Sequence, residues 1–348
     1  MRLEPKPAPS LAVTLLYPAG AILATILIAS LLVLAAGANP FSVFGLVLKG
    51  AAGSQFALVE TLTRATPLIF TGLAVAVAFR ARLWNIGAEA QLYAGAVITV
   101  VLGTGALPLP APILLPLLAI AAAIAGALLL LGPAVLKVRF GVDEVVTTLL
   151  LNFIMLLFVS MLLEGVLKDP MGLGWPKSQS LIAEARLPRI IGNRRLHYGF
   201  VLALACSAAV WFVMKKTALG YEMRAVGHNA QAARFAGMPV NAILFKTALL
   251  SGGLAALAGF SEVAGLKGNL TLDLSPGFGY SGIIVAMLAN LNPIGAIFSA
   301  LFAAAMFVGA DGMSRAIGIP SFIADVTVAL SLLTMLVALF FTQYRIAR

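Results

Sequence analysis

The sequence has little charge for its length, because Asp, Glu, Lys and Arg make up only 10% of its 348 residues, while apolar residues make up 61%. A soluble protein of this length needs far more charge to cover its surface, so the composition excludes a soluble globular domain. The apolar residues form runs that can cross a bilayer, which takes about 20 residues per helix. The composition predicts an all-α, polytopic transmembrane helix bundle.

Residues that commonly carry catalysis or bind metals are also scarce. The single cysteine, Cys206, excludes an internal disulfide, and the only histidines, His197 and His228, lie at predicted membrane edges. The sequence contains neither a GxxxxGK[ST] phosphate-binding loop nor an HExxH zinc motif. We therefore expect no catalytic residue, metal or cofactor on this chain, and any energy source for transport should lie elsewhere.

The excess of positive charge does not indicate nucleic acid binding. The formal net charge is +10, but the Lys and Arg residues stand singly or in pairs between apolar runs, without interleaved aromatics. With the N-terminus in the cytoplasm, 13 of the 23 basic residues fall in cytoplasmic segments, as membrane topology favours. Against this orientation, six basic residues lie in the predicted extracytoplasmic loop 168–196.

The hydrophobic pattern predicts one transmembrane domain over residues 1–348, with 8–10 spans. Residues 1–10 form a cytoplasmic N-terminus, 168–196 an extracytoplasmic loop and 215–239 a cytoplasmic segment, and both termini are cytoplasmic. The candidate spans lie near 11–36, 60–79, 83–103, 111–136, 144–167, 197–214, 240–263, 277–291, 293–310 and 320–343.

Polar residues recur at helical spacing inside two apolar segments. Asn85, Glu89 and Tyr93 stand at i, i+4 and i+8, which predicts one helix face, while Gln91 points elsewhere. The series Glu144, Thr148 and Asn152 repeats this spacing, although Glu144 and its neighbour Asp143 are better explained as a helix start. Such stripes avoid lipid, so they line a solute pathway or hydrogen-bond helices together.

Two later polar residues raise the same question. Glu262 ends a glycine-rich span, and Tyr280 lies in the stretch PGFGYSGIIVAMLANLNPIG. We take both as candidate pathway residues. Asn290, in contrast, is better explained by tight packing before a turn at Asn292-Pro293.

The stretch RAVGHNAQAARFAGMPV, residues 224–240, is polar where its neighbours are apolar. Asn229 can cap a helix of about seven residues, and Gly237 can end it in the left-handed conformation. A helix this short is not stable alone in water, so we expect it to dock on something. Exposed Arg224 and Arg234, with Phe235 as an apolar knob, suit a groove on a partner, and a plain connector on the membrane surface is the alternative.

Four stretches resemble the permease subunits of bacterial ABC importers of the nucleoside and simple-sugar group. They are FRARLWNIGAEAQLYAGA, GVDEVVTTLLLNFI, GYEMRAVGHNAQAARFAGMPV and PGFGYSGIIVAMLANLNPIGAI, in the family's order, and the resemblance extends from about residue 60 to 310. The sequence departs from the family at Ala90, where glycine is common, and at Asp143, where asparagine is frequent.

The resemblance implies a set of partners and a role for each stretch. ATP would be hydrolysed by separate cassette subunits, beside a second permease, expected to form a heterodimer with this one, and an extracytoplasmic solute-binding lipoprotein. Asn85, Glu89 and Gln91 would lie near the translocation path. The segment 215–239 would contain the coupling helix that enters the cassette groove, with Arg224, Gly227, Asn229, Ala233, Arg234, Phe235 and Gly237 as coupling residues.

The resemblance leads to a hypothesis for function with two alternatives. The chain would form the path for a nucleoside or related small polar solute across a bacterial plasma membrane, and a simple sugar such as ribose is the alternative substrate. A gradient-driven secondary transporter that uses Glu89 or Glu262 is the rival mechanism, and dependence of uptake on a proton gradient would separate it. A purely structural scaffold is disfavoured by the polar stripes.

Overall fold

The computed structural model describes residues 2–5, 39–172, 174–192, 194–317 and 344–347, with single residues between 23 and 34 and between 326 and 338. The chain divides into two compact units, residues 1–62 with 301–348 and residues 63–300. Its helices, named in chain order, are α1 (Pro40–Ala52), α2 (Gln55–Arg80), α3 (Ala88–Gly103), α4 (Ala111–Phe140), α5 (Glu144–Glu164), α6 (Gly199–Lys216), α7 (Ala218–His228), α8 (Ala230–Phe235), α9 (Val240–Ser261), α10 (Phe278–Leu288) and α11 (Pro293–Ile317).

Six helices in the described ranges are long and apolar enough to cross a membrane. They are α2, α4, α5, α6, α11 and α9 extended by a π-helical turn at Glu262–Lys267. They correspond to six of the predicted spans, so the predicted all-α polytopic bundle is confirmed. The predicted spans 11–36 and 320–343 lie largely outside the described residues.

Two predicted spans are shorter than the hydrophobic pattern indicated. The predicted span 83–103 is helical only in α3, which has 16 residues, because Arg82 adopts a φ of 52° and the chain turns before Ala88. The predicted span 277–291 contains the 11-residue α10, which ends before Asn290 and Leu291, both at positive φ. At 1.5 Å per residue neither helix is long enough for a hydrocarbon core of about 30 Å.

Local capping residues define several helix ends. The Asp143 carboxylate accepts the backbone N–H of Val145 at 2.8 Å and so caps α5, as expected for a helix start. Gly141, at a φ of 67°, ends α4 in the left-handed conformation. The predicted break at Asn292-Pro293 is present, since α11 begins at Pro293 and the Asn292 side chain accepts the N–H of Ile294 at 3.0 Å.

Small residues bring α9 into backbone contact with two neighbours inside residues 63–300. A Cβ on Gly259 would overlap the Leu92 carbonyl of α3, and one on Gly252 would overlap the Gly126 carbonyl of α4. Membrane helices lack the hydrophobic drive of water-soluble cores, so this close packing is a main source of their association. Helices α3 and α9 are the buried centre of this unit, with Tyr93 and Phe260 among its largest buried side chains.

The predicted extracytoplasmic loop has an ordered backbone in its described part. Its residues pair with the segment that follows α9: Ser178 and Leu181 donate to the carbonyls of Leu270 and Gly268, at 2.9 and 2.8 Å. A short 3-10 turn at Ala183–Ala185 and a bridge between Arg189 and His197 complete it. The loop therefore covers the π-helical turn, and which side of the membrane it occupies stays a prediction.

His197, at the end of this loop, makes the stability of the fold depend on pH. Its side chain is fully buried, and burial lowers its pKa from 6.5 to about 4. Above pH 6.5 the ring is neutral whether the chain is folded or unfolded, so it adds no pH dependence. Between pH 6.5 and about 4 only the unfolded chain binds the proton, and the free energy of unfolding falls by about 3 kcal/mol in total.

Thermal unfolding of the purified protein between pH 7.5 and 4.5 measures this effect. We expect the Tm of the wild type to fall more steeply than that of His197→Gln, in which the titrating ring is absent. The difference between the two curves removes the contribution of carboxylates, which titrate in the same range. Parallel curves would contradict the burial of a neutral His197.

The unit formed by residues 1–62 and 301–348 contains a helix that the hydrophobic pattern did not predict. This is α1, whose Gly50 lies against the backbone of α11, where a Cβ would stand 3.2 Å from the Gly309 carbonyl oxygen. The ends of the chain form a short antiparallel pair of strands, β1 (Arg2–Pro5) and β2 (Tyr344–Ala347), with Arg2 opposite Ala347.

Candidate functional site

The polar stripe of α5 binds the turn that leads into α3. Three backbone N–H groups, two in that turn and one in the first turn of α3, lack helical partners, and three side chains one turn apart on α5 accept them. Glu144 accepts Trp84 N–H at 3.2 Å, Thr148 accepts Ile86 N–H at 3.2 Å and Asn152 accepts Ala90 N–H at 2.9 Å. Because unsatisfied N–H groups are costly inside a membrane, this ladder stabilises the start of α3.

Asn85 and Gln91 hydrogen-bond to each other. Their amides exchange two bonds of 2.9 Å, and Asn85 also donates to the Ser251 hydroxyl of α9 at 3.0 Å. One prediction is wrong here: Asn85 precedes α3, so it does not share a helix face with Glu89 and Tyr93. Gln91 points away from Glu89 and Tyr93, as predicted, and closes the network with Asn85.

Glu89 and Tyr93 connect α3 to the segment before α10. A Glu89 oxygen accepts the N–H of Gly279 at 2.6 Å, and the Tyr93 hydroxyl donates to the Leu272 carbonyl at 2.6 Å. The same hydroxyl accepts the N–H of Ser275 at 3.4 Å. Both side chains are almost fully buried, which holds the start of the short helix α10 against α3.

Tyr280 differs from the other seven candidate pathway residues in its exposure. It is 38% exposed, whereas the other seven, including Glu262, are at most 4% exposed. Its hydroxyl accepts a hydrogen bond of 3.0 Å from Asn152, so the phenol ring is fixed while part of it stays open. For Asn85, Gln91, Thr148 and Asn152 the structure provides a role in holding helices together, and a role in the pathway stays a prediction.

Glu262 is the first residue of the π-helical turn and lies near a cation that sequence reasoning missed. Arg64, on α2, acts electrostatically on Glu262, as does Lys267. The Arg64 guanidinium also lies 5.5 Å from the centre of the Phe278 ring, within cation–π range. A signal was present, because an arginine in the middle of a long apolar helix is uncommon without a function or a partner.

The predicted short cytoplasmic helix is present as α8. The Asn229 side chain accepts the N–H groups of Gln231 and Ala232, each at 3.0 Å, and Gly237 has a φ of 83° after the last turn. The helix has six residues rather than the predicted seven or so. Ala233 faces the protein, whereas Arg234 is exposed and Phe235 is 97% exposed.

Two other members of the predicted coupling set stabilise the base of this segment. Arg224 was predicted to be exposed, but it is half-buried and donates a hydrogen bond to the Met214 carbonyl at the end of α6. Gly227 is buried against the end of α2, where a Cβ would overlap the Arg80 carbonyl oxygen. Arg224 and Gly227 therefore hold the base of the segment, while Arg234 and Phe235 stay exposed on α8.

The described geometry is that of a membrane protein with a polar, hydrogen-bonded centre and one protruding capped helix. A sequence profile described as the permease component of branched-chain amino acid transport systems matches residues 57–339, most of the chain. The chain belongs to this permease family.

Curated relatives of the permease agree with this assignment over nearly its full length. It is 36% identical over 326 residues to the guanosine ABC transporter permease of Bacillus subtilis, with 92% of each chain covered. It is 35% identical to the glucose ABC transporter permease of Haloferax volcanii, with 94% of this chain and 89% of that one covered. A nucleoside ABC transporter permease of Lactococcus lactis is 30% identical, with 90% and 88% covered.

Family membership settles the broad role of the chain. It is a multi-pass membrane protein and the permease subunit of an ABC transporter, not an enzyme. An ATPase and a solute-binding protein are the partners that this family implies. The predicted ABC permease is confirmed, and the gradient-driven secondary transporter is no longer required.

Proposed function

We propose that this permease forms half of the inward path for a nucleoside. The proposal is supported by sequence identities of 36% to a guanosine permease and 30% to a nucleoside permease, each over about nine-tenths of the chain. A second permease would complete the path as a heterodimer, and an extracytoplasmic lipoprotein would deliver the solute. The complex would lie in a bacterial plasma membrane, with the termini of this chain in the cytoplasm.

Tyr280 is the candidate pathway residue that best suits a nucleoside base. Its ring is part exposed and its hydroxyl is held by Asn152, so it offers a flat apolar face that does not need to be ordered on binding. Stacking on an aromatic ring stabilises a bound base by about 1–3 kcal/mol. A sugar without a base gains less from such a face.

Transport would be driven from the segment 215–239. Helix α8 would enter a groove of the ATPase, with Phe235 and Arg234 as its contacts, and Arg224 and Gly227 would hold its base on α6 and α2. Closure of the ATPase on ATP would then move α8 and the helices attached to it, which is a rigid-body route to alternating access.

Uptake assays on the reconstituted complex test the substrate and Tyr280 together. We expect ATP-dependent uptake of labelled guanosine, and a fall in kcat/KM of about 10-fold in Tyr280→Ala because the stacking face is lost. Tyr280→Phe is the matched control, since it keeps the ring and removes only the hydroxyl; its uptake should stay close to that of the wild type.

Two outcomes would contradict the proposal in different ways. Uptake of glucose without uptake of guanosine would move the assignment to the sugar alternative, to which the Haloferax volcanii relative points. Guanosine uptake that is equal in Tyr280→Ala and wild type would remove Tyr280 from the path and leave the substrate assignment standing.

A further inference from the structure

A groove separates α6 from the pair formed by α4 and α9 in residues 63–300. Its volume is about 440 Å³. Cys206, Ala209 and Val213 line it from α6, and Ile124 and Leu250 are among the residues that face them from α4 and α9. None of the lining side chains is charged or carries a hydroxyl or amide, so the groove does not suit a nucleoside.

The groove results from the way α6 contacts its neighbouring helices. Helices α4 and α9 meet backbone to backbone at Gly126 and Gly252, whereas α6 is attached near its ends. At one end, Gly199 lies against Ser261, where a Cβ would stand 3.1 Å from the Ser261 Cβ. At the other end, α7 contacts both α6 and α9. Between these ends α6 is buried along one face, at Ser207 and Val210, and part of its surface lines the groove.

The groove needs an apolar occupant. An aliphatic wall gains nothing from water, and apolar cavities large enough for a ligand bind apolar molecules. In a bilayer, acyl chains of lipids are the apolar molecules at the highest concentration.

Two lysines stand at one end of the groove. Lys246 precedes the lining residues Leu249 and Leu250 by three and four positions, and Lys216 follows the lining residue Val213 by three. Residues at these spacings share a helix face, so both lysines lie one turn beyond the groove. Both are exposed, and the start of α6 lies against the end of α9 at Gly199 and Ser261, so both lysines lie toward the opposite end of the groove.

We infer that this groove binds an anionic phospholipid, with an acyl chain between α6 and α9 and the phosphate between Lys216 and Lys246. The aliphatic wall selects the chain and the two cations select the headgroup charge. The occupied groove would fill the space that is left between α6 and the α4–α9 pair.

Native mass spectrometry of the purified transporter complex, titrated with dioleoyl phosphatidylglycerol or dioleoyl phosphatidylcholine, tests the headgroup. We expect tighter binding of phosphatidylglycerol, and a loss of roughly 30-fold in its affinity in the double variant Lys216→Gln/Lys246→Gln. Lys215→Gln is the matched control, because Lys215 is an exposed neighbour on another face of α6; its affinity should equal that of the wild type.

A second pair of variants tests the groove itself. Ala209→Trp places a large ring in the gap and should abolish phosphatidylglycerol binding, whereas Ala208→Trp adds the same bulk at an exposed residue outside it. Equal binding of both lipids, or retained binding in the double lysine variant, would overturn the proposal without reliance on the tryptophan variants. Loss of a protein subunit in Ala209→Trp, in place of lipid, would make the groove a protein interface and would also overturn it.

Discussion

ATP-driven uptake should fall by about 30-fold or more when Arg234 and Phe235 are both replaced by alanine. Phe235 is 97% exposed and Arg234 is exposed beside it, on a helix whose Ala233 faces the protein. Exposed aromatic and arginine side chains that enter a partner's groove commonly contribute 2 kcal/mol or more each. Since neither side chain supports the fold of the permease, the loss should be one of coupling, measured as uptake and ATP hydrolysis by the same reconstituted complex.

The chain contains a matched control for this variant. Arg139 and Phe140 are the same residue pair, are also exposed and belong to a segment predicted to lie on the same side of the membrane. Arg139→Ala/Phe140→Ala should keep wild-type uptake. If both double variants lose uptake equally, or if neither does, α8 is not the coupling element. An unchanged Tm in the α8 variant separates uncoupling from unfolding.

The second large effect concerns stability, because Gly259→Ala should prevent α3 and α9 from packing. A Cβ at this position would overlap the Leu92 carbonyl oxygen. Neither helix backbone can relieve this overlap without moving as a whole. Forcing the helices apart should cost about 3 kcal/mol or more and would disturb the Asn85–Gln91–Ser251 network between them. The measurement is the Tm and the yield of properly inserted protein.

Gly45→Ala is the control for this substitution. Gly45 lies in α1 and its Cβ would have no neighbour within 4 Å, so alanine should raise the stability by about 0.5–1 kcal/mol through its better helix propensity. A Gly259→Ala variant that melts with the wild type would show that α3 and α9 are not in backbone contact.

The sequence predicted the features that depend on local chemistry. Asn229 and Gly237 bound α8, Asp143 caps α5 and Pro293 begins α11, as their side chains indicated. These helix ends could be predicted because a capping residue bonds backbone groups within three or four positions in the sequence. The length of α8 was overestimated by one residue, which is the usual uncertainty of a fraying helix end.

The polar stripes show what spacing in the sequence could not predict. Spacing placed Thr148 and Asn152 on one face of α5, but it could not say that this face meets the turn before α3. Helical spacing failed at Asn85, because the positive φ of Arg82 ends the helical path before it. The burial of Arg224 and Gly227 was equally hidden, since their partners Met214 and Arg80 come from other helices.

By itself the sequence determined that this protein spans a membrane, that it is an ABC permease, and where its protruding helix begins and ends. Apolar run length, capping residues and family motifs each depend on residues that are close together in the sequence. Only the tertiary structure decided that seven candidate pathway residues are buried, that Tyr280 is part exposed, and that a groove lies between α6 and the α4–α9 pair. These outcomes depend on which helix faces approach each other, and that is set by close packing of small residues far apart in the chain.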